Sequence, residues 1–239
     1  MKLRLALLAI AALTAGIGAQ TVTVTPKNVT YRRPKPMEDS KKSFEISYPK
    51  VRAATPALSR KIERSISYES VLGLSLKGEL NDSQWLESAD FEVKYNKNGI
   101  LCVDDSMEGS AAYPSETSKI VCVDTRTGVR ARPADVFTNL VGLTAMLRKA
   151  QEAEKRKAIP QIKKEIPDVD EPGGLFGDKH FTSKDLDGYG VGDKGVTFHY
   201  DYEFPHVALA LQPEGNFFYT WAQLRPYIKK GGLLTRVAR

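Results

Sequence analysis

The chain has 239 residues, 41% of them hydrophobic and 27% charged, with two cysteines and a formal charge of +6. That is enough apolar chain for one large domain or two small ones, so neither a metal nor a disulfide scaffold is needed merely to fold. The basic balance does not point to nucleic acid. The runs "YRRPKP", "KK" at 41–42, "RKAQEAEKRKA" at 148–158 and the "IKK" triplets at 162–164 and 228–230 lack interleaved aromatics, and they read as solvated faces or weak attraction to anionic polymers.

The opening "MKLRLALLAIAALTAGIGAQ" places Lys2 and Arg4 before an apolar run from Leu5 to Ile17, closed by Gly18 and Ala19. It reads as a secretory signal peptide, residues 1–19, cut after Ala19; its apolar run is shorter than the roughly 20 residues that span a bilayer. Removing it takes away two cations and no acid, so +6 becomes +4. The expected setting is the periplasm or the medium, with no stable membrane insertion after cleavage.

Residues 20–42 read as a flexible N-terminal arm: "TVTVT" can form a strand, but "PKNVTYRRPKPMEDSKK" is proline-broken and charged. "SFEISYPKV" alternates Phe44, Ile46 and Tyr48 against polar neighbours, the pattern of a half-buried strand. A helix follows, with Thr55 as N-cap, Pro56 at its first position and Leu58, Ile62 and Ile66 at helical spacing. "FEVKY" and "ILCVDDS" are strands joined at Asn98-Gly99, which supplies the positive φ of a tight hairpin. The segment around "MEGSAAYPSETS" reads as a connector leading to a third strand, "KIVCVDT". Pairing about its centre near residue 112 puts Cys102 and Cys122 opposite each other or one step out of register. In register, an oxidising compartment closes a disulfide; out of register they remain two buried thiols.

From residue 138, Leu140, Leu143, Leu147 and Ala150 make an amphipathic helix that Pro160 is expected to stop or kink. "IPDVDEPGGLFGDK" reads as a loop. Three strands follow, in "FTSKDLDGYGV", "GVTFHYDYEF" and "GNFFYTWAQL", and Thr220 with Gln223 has the capping-box form of a short helix.

Chemistry-bearing residues are few. His199, Asp201, Glu203 and His206 cluster in "HYDYEFPH", but on a strand alternate side chains lie in a line about 13 Å long and do not converge on a metal. Asp104, Asp105 and Glu108 are candidate paired carboxylates of the glycosidase kind, or polar strand-end residues. No nucleophile elbow, zinc helix, phosphate loop or paired-cysteine motif is present, and the glycines of "GYGVGDKG" read as turn glycines. No cofactor, metal site or catalytic residue is therefore expected. Of the late aromatics, Tyr200, Tyr202, Tyr219 and Trp221 are candidates to line a groove for a sugar ring or a protein hot spot.

The order "FEISYPKV", helix, "WLESADFEVKYNKNGILCV", "EGSAAYPSETSKIVCVDTRTG" and "ADVF", then "GVTFHYDYEFPHVALALQPEGNFFYTWAQLRPYI", resembles an exported family of unknown function. That family is shared by the region before the catalytic domain of the peptidoglycan deacetylase PdaC and the extracellular region of the anti-sigma factor RsiV. The similarity spans about residues 43–230. Where that family commonly carries a "GGAHG"-like connector, this chain has "GSAAYP", with Ala112 or Tyr113 in place of the histidine. The resemblance implies an α+β fold of two packed sheet-and-helix units, 43–137 and 138–230, followed by a tail, 231–239. It also implies an envelope-binding module that does not itself catalyse.

The resulting expectation is a binding module for an envelope polymer or envelope protein. Peptidoglycan glycan is ahead of a lysozyme-like protein, because lysozymes are often cationic and a +4 chain does not attract them unless local acidic patches reverse the balance. The expected binding residues are Gly109, Tyr113, Pro114, Tyr200, Tyr202 and Trp221. The alternatives are a structural or assembly protein of the envelope, and a glycan or ester hydrolase built on the carboxylates or the 199–206 cluster.

Overall fold

The computed structural model describes residues 21–38, 40–111, 113–167 and 172–238. The signal-peptide reading falls on residues outside these. The fold is α+β, built on a mixed six-stranded sheet in the order β1-β2-β3-β4-β5-β6 and a three-stranded antiparallel sheet, β7-β8-β9.

In the first sheet, β1 (Thr23–Arg32) pairs antiparallel with β2 (Ser43–Arg52). Helices α1 (Pro56–Ser65), α2 (Tyr68–Val71) and α3 (Leu76–Asn81) then carry the chain across, so that β3 (Leu86–Lys97) lies parallel to β2. As expected, the Thr55 side chain caps α1 and Pro56 opens it. β3 turns into β4 (Ile100–Ser110) through Asn98 and Gly99, both in the left-handed region at φ 55° and 76°. β5 (Pro114–Asp124) and the short β6 (Val129–Arg130) complete the sheet.

Cys102 pairs in register with Cys122, with their Cα atoms 4.0 Å apart, and a disulfide joins them. The connector has almost vanished: β4 runs to Ser110 and β5 starts at Pro114, because "MEGS" and "PSETS" are themselves paired strand.

The long hairpin β4–β5 has two faces. Leu101, Val103, Val121 and Val123 pack beneath α1 with Ile62 and Ile66. Further along, Met107 joins Tyr68, Phe44 and Leu86. The opposite face contributes Ile100, Cys102, Ile120 and Cys122 to the largest core, with Tyr189, Val196 and Phe198 of the second sheet and Leu143 and Leu147 of α5 (Leu140–Glu165). That core crosses the expected 137/138 boundary, so the two units share one interior.

Several expectations need correction. Residues 23–32 of the supposed arm are an edge strand, and Val22 and Arg33 are buried. The Arg33 N–H donates to Lys42 O (2.9 Å), which sets the ladder so that odd-numbered residues of β1 bond to β2 and even-numbered ones point outward. Pro26 is even-numbered and costs the sheet no hydrogen bond, as edge strands permit.

Pro160 does not stop α5. The five residues beyond it carry Ile162 into a cluster with Phe176, Tyr202, Phe204 and Ala208, and that burial offsets the missing donor. The "PGGLF" part of the expected loop is a short helix, α6 (Pro172–Phe176).

The late strands are shorter than read: β7 is Tyr189–Val191, β8 Gly195–His199 and β9 Asn216–Thr220, followed by α7 (Trp221–Leu224) with its capping box intact. The supposed tail is anchored by buried Leu233 and Leu234 and by Arg236, whose guanidinium donates twice to Asp124 (3.0 and 2.7 Å).

Candidate functional site: a carboxylate-lined groove between the sheets

The side chains of β4 and β5 that face the second sheet change character along the hairpin. Near the Asn98-Gly99 turn they are Ile100, Cys102, Ile120 and Cys122, all buried; farther out they are Asp104, Ser106, Glu116 and Ser118. The two sheets meet where Ile120 packs on Gly190, at which a Cβ would lie 3.3 Å from the isoleucine side chain. Beyond that contact they separate, leaving a groove of about 900 Å³. One wall is residues 114–120 of β5 with Asp104; the other comprises residues 184–188 and the chain from His199 to Asn216. An adjoining hollow of about 240 Å³ adds Asp90 and Glu92 of β3.

Among the described residues, seven carboxylates line the groove, Asp104, Glu116, Asp185, Asp187, Asp201, Glu203 and Glu214, against two lysines, Lys119 and Lys184. Some are neutralised locally. Asp187 pairs with Lys119 (2.8 Å) and Arg130 (3.2 Å), Glu203 with Lys179 (3.1 Å), and Asp104 with Lys94 (3.6 Å). Glu116, Asp185, Asp201 and Glu214 have no ion pair among the described residues. Asp185 instead accepts from the Thr182 N–H and hydroxyl, and Asp201 from the Glu203 N–H and the Gln212 amide.

The 199–206 cluster does not lie in a line. β8 ends at His199 and the chain bends, with Glu203 at φ 49°, so that His199, Asp201, Glu203 and His206 all line one wall. Among the described residues, no group of histidine, cysteine and carboxylate side chains is arranged to hold a metal ion. His199 Nδ1 lies 2.7 Å from Asn216 Oδ1; burial pushes the imidazole below its usual pKa, partly offset by that hydrogen bond.

At one end the walls touch through an aromatic pair. Tyr113, at the β4–β5 turn and 63% exposed, stacks on His206 with centroids 4.6 Å apart. Val207 and Leu209 beside it are also exposed, making this rim apolar.

The expected binding residues divide evenly. Pro114 and Tyr200 line the groove and Tyr113 forms its rim. The other three belong to the interior. Gly109 lies under Trp85, where a Cβ would sit 2.3 Å from the tryptophan carbonyl oxygen. Tyr202 is fully buried and donates to Glu154, and Trp221 is 8% exposed with its indole N–H on Asp193 O. Asp105 is also removed from the groove, because its side chain points to the helix-covered face between Val103 and Met107. The sequence reading leaves out four of the groove's acids, Glu116, Asp185, Asp187 and Glu214. The signal for Glu116 was legible in "SETSK", where the inward-facing alternation turns polar in both strands of the hairpin at once.

No protein-family model and no curated protein matches the sequence. Two crystal structures do share the architecture. One is a DUF3298 family protein from Pseudomonas aeruginosa PAO1, 14% identical, with a TM-score of 0.53 over 88% of this chain and 96% of that one. The other is a DUF3298 family member from Bacteroides fragilis, also 14% identical, with a TM-score of 0.50 over 91% and 98%. The fold is that of DUF3298 proteins. The likeness extends across nearly the whole chain in each case, so the two sheets and their helices belong to one recurring architecture, a domain of unknown function.

Proposed function

We propose that the protein is an exported, non-catalytic binding module of the cell envelope, and that its groove holds a cationic, lysozyme-like protein. The carrying observation is the charge of the groove: four carboxylates without an ion pair, beside an aromatic and apolar rim, suit a basic surface with a projecting apolar side chain. This local field reverses the preference drawn from the overall charge of +4, because charges beyond about 8–10 Å are screened while those lining the groove act at contact. The motif-level resemblance to the PdaC and RsiV family supports an envelope setting, and the cystine supports an oxidising one.

The test is calorimetric titration of residues 20–239 with a cationic lysozyme, alongside co-sedimentation with purified peptidoglycan. Saturable lysozyme binding that Glu116→Lys with Glu214→Lys weakens at least tenfold supports the proposal. Salt-resistant retention on peptidoglycan without lysozyme binding replaces it with the glycan reading, which the exposed Tyr113 ring favours. The oriented, half-buried His199 beside Asp104 favours a hydrolase; glycan or ester turnover abolished by His199→Ala would establish that instead.

A further inference from the structure

Helix α5 carries its charges asymmetrically. Its inner side is apolar, with Leu143, Leu147 and Ile162 buried, and Glu154 turns inward, accepting from the Tyr202 hydroxyl and the Gly215 N–H; Glu152, about half exposed, pairs with Lys155, and exposed Glu165 accepts from the Gln161 amide. Outside, Lys149, Arg156, Lys157, Lys163 and Lys164 are exposed, and none forms an ion pair or hydrogen bond with a described residue. Lys149, Arg156 and Lys163 recur every seven residues and so lie on one line along the helix, with Lys157 and Lys164 on the line beside it. At 1.5 Å per residue this double row is about 22 Å long.

We infer that the outer face of α5 docks on an anionic phospholipid bilayer, an interaction separate from the groove and independent of what the groove binds. The row stands on a convex helix with no concavity, so it suits no single small anion. It has no aromatic side chain, so it offers no stacking platform for nucleotide bases. A plane of phosphate headgroups lets all five cations engage at once without bending either partner. Long lysine and arginine stems keep their charges in the headgroup layer, and the interior of the protein is undisturbed. Each cation near such a surface strengthens association roughly fivefold, so a row of five suffices where a lone lysine does not.

The test uses residues 20–239, which hold every described element and omit the apolar segment read as a signal peptide. The protein is sedimented with phosphatidylcholine vesicles with and without about 30% phosphatidylglycerol, at low and high salt. Retention is expected only on the anionic vesicles, falling as salt rises. Replacing Lys149, Arg156, Lys163 and Lys164 by Gln is expected to weaken it at least a hundredfold with the melting temperature unchanged. A control replacing Lys27, Arg52, Lys77 and Lys230, exposed cations elsewhere, is expected to retain most binding. Equal loss in both variants means net charge alone and overturns the proposal. So does no retention, or binding of soluble polyphosphate in preference to vesicles.

Discussion

Asp105 is 0% exposed, and neither carboxylate oxygen has a hydrogen-bond partner in the described structure. Burial raises its pKa to about 8, helped by the nearby Asp104 charge, opposed by Arg130 and helped further by Glu69 of α2. The unfolded value is about 3.9, so the folded protein holds a proton that the unfolded chain releases. The stability this supplies is complete below pH 4 and is lost as pH rises from about 4 to about 8. Asp105→Asn is expected to flatten that decline and raise the denaturant midpoint at pH 9; an unchanged pH profile would show that Asp105 is ionised in the fold. Two aromatics proposed from sequence separate by burial. Trp221→Ala opens the core and is expected to cost about 3–5 kcal/mol. Tyr113→Ala, at the rim, is expected to stay within about 0.5 kcal/mol while weakening groove binding. Paired thermal melts and ligand titrations check both.

The Cys102–Cys122 bond sits toward the end of the β4–β5 hairpin remote from its turn, on the face that meets the second sheet. It constrains the unfolded chain across a loop of about 20 residues and is expected to contribute about 3 kcal/mol. Denaturation with and without a reductant measures this, and an unchanged midpoint would mean that strand pairing alone holds the register. In α5, Pro160 leaves one carbonyl without its usual donor but lies on the exposed side. Pro160→Ala is expected to raise stability and leave vesicle binding unchanged.

At the scale of the molecule, the largest core, which includes Cys122, Leu147, Phe198 and Leu234, ties the β4–β5 hairpin to the second sheet, α5 and the C-terminal segment, while the other face of the same hairpin packs on α1 and α2. Far-ultraviolet and near-ultraviolet signals are therefore expected to report one coincident unfolding transition; two separated transitions would show that 43–137 and 138–230 fold alone. The C-terminal segment belongs to that unit through Arg236. Burial opposes ionisation of Asp124, but hydrogen bonds from Arg236 and Arg126 outweigh it and hold the carboxyl below its usual range. Arg236→Ala leaves that carboxylate half-buried without its bidentate partner and is expected to cost about 1–3 kcal/mol, checked by urea unfolding near pH 7.

What was legible in sequence was local. The capping of α1, the Asn98-Gly99 hairpin, the placing of Cys102 and Cys122 on neighbouring antiparallel strands and the Thr220–Gln223 box each rest on residues close together in the chain, where backbone preference and alternation act directly; that the two cysteines fall in register was settled by the fold. The tertiary structure decided what depends on neighbours. Pro26 fits because its side of β1 is a sheet edge, and Pro160 is carried because Ile162 finds a pocket beyond it. Gly109 and Trp221 became core because Trp85 and the second sheet cover them. The groove itself was hidden for the same reason. Its acids come from β4, β5, residues 184–188 and the bend after β8, segments up to 110 residues apart, and only the separation of the two sheets beyond Ile120 and Gly190 gathers them into one surface.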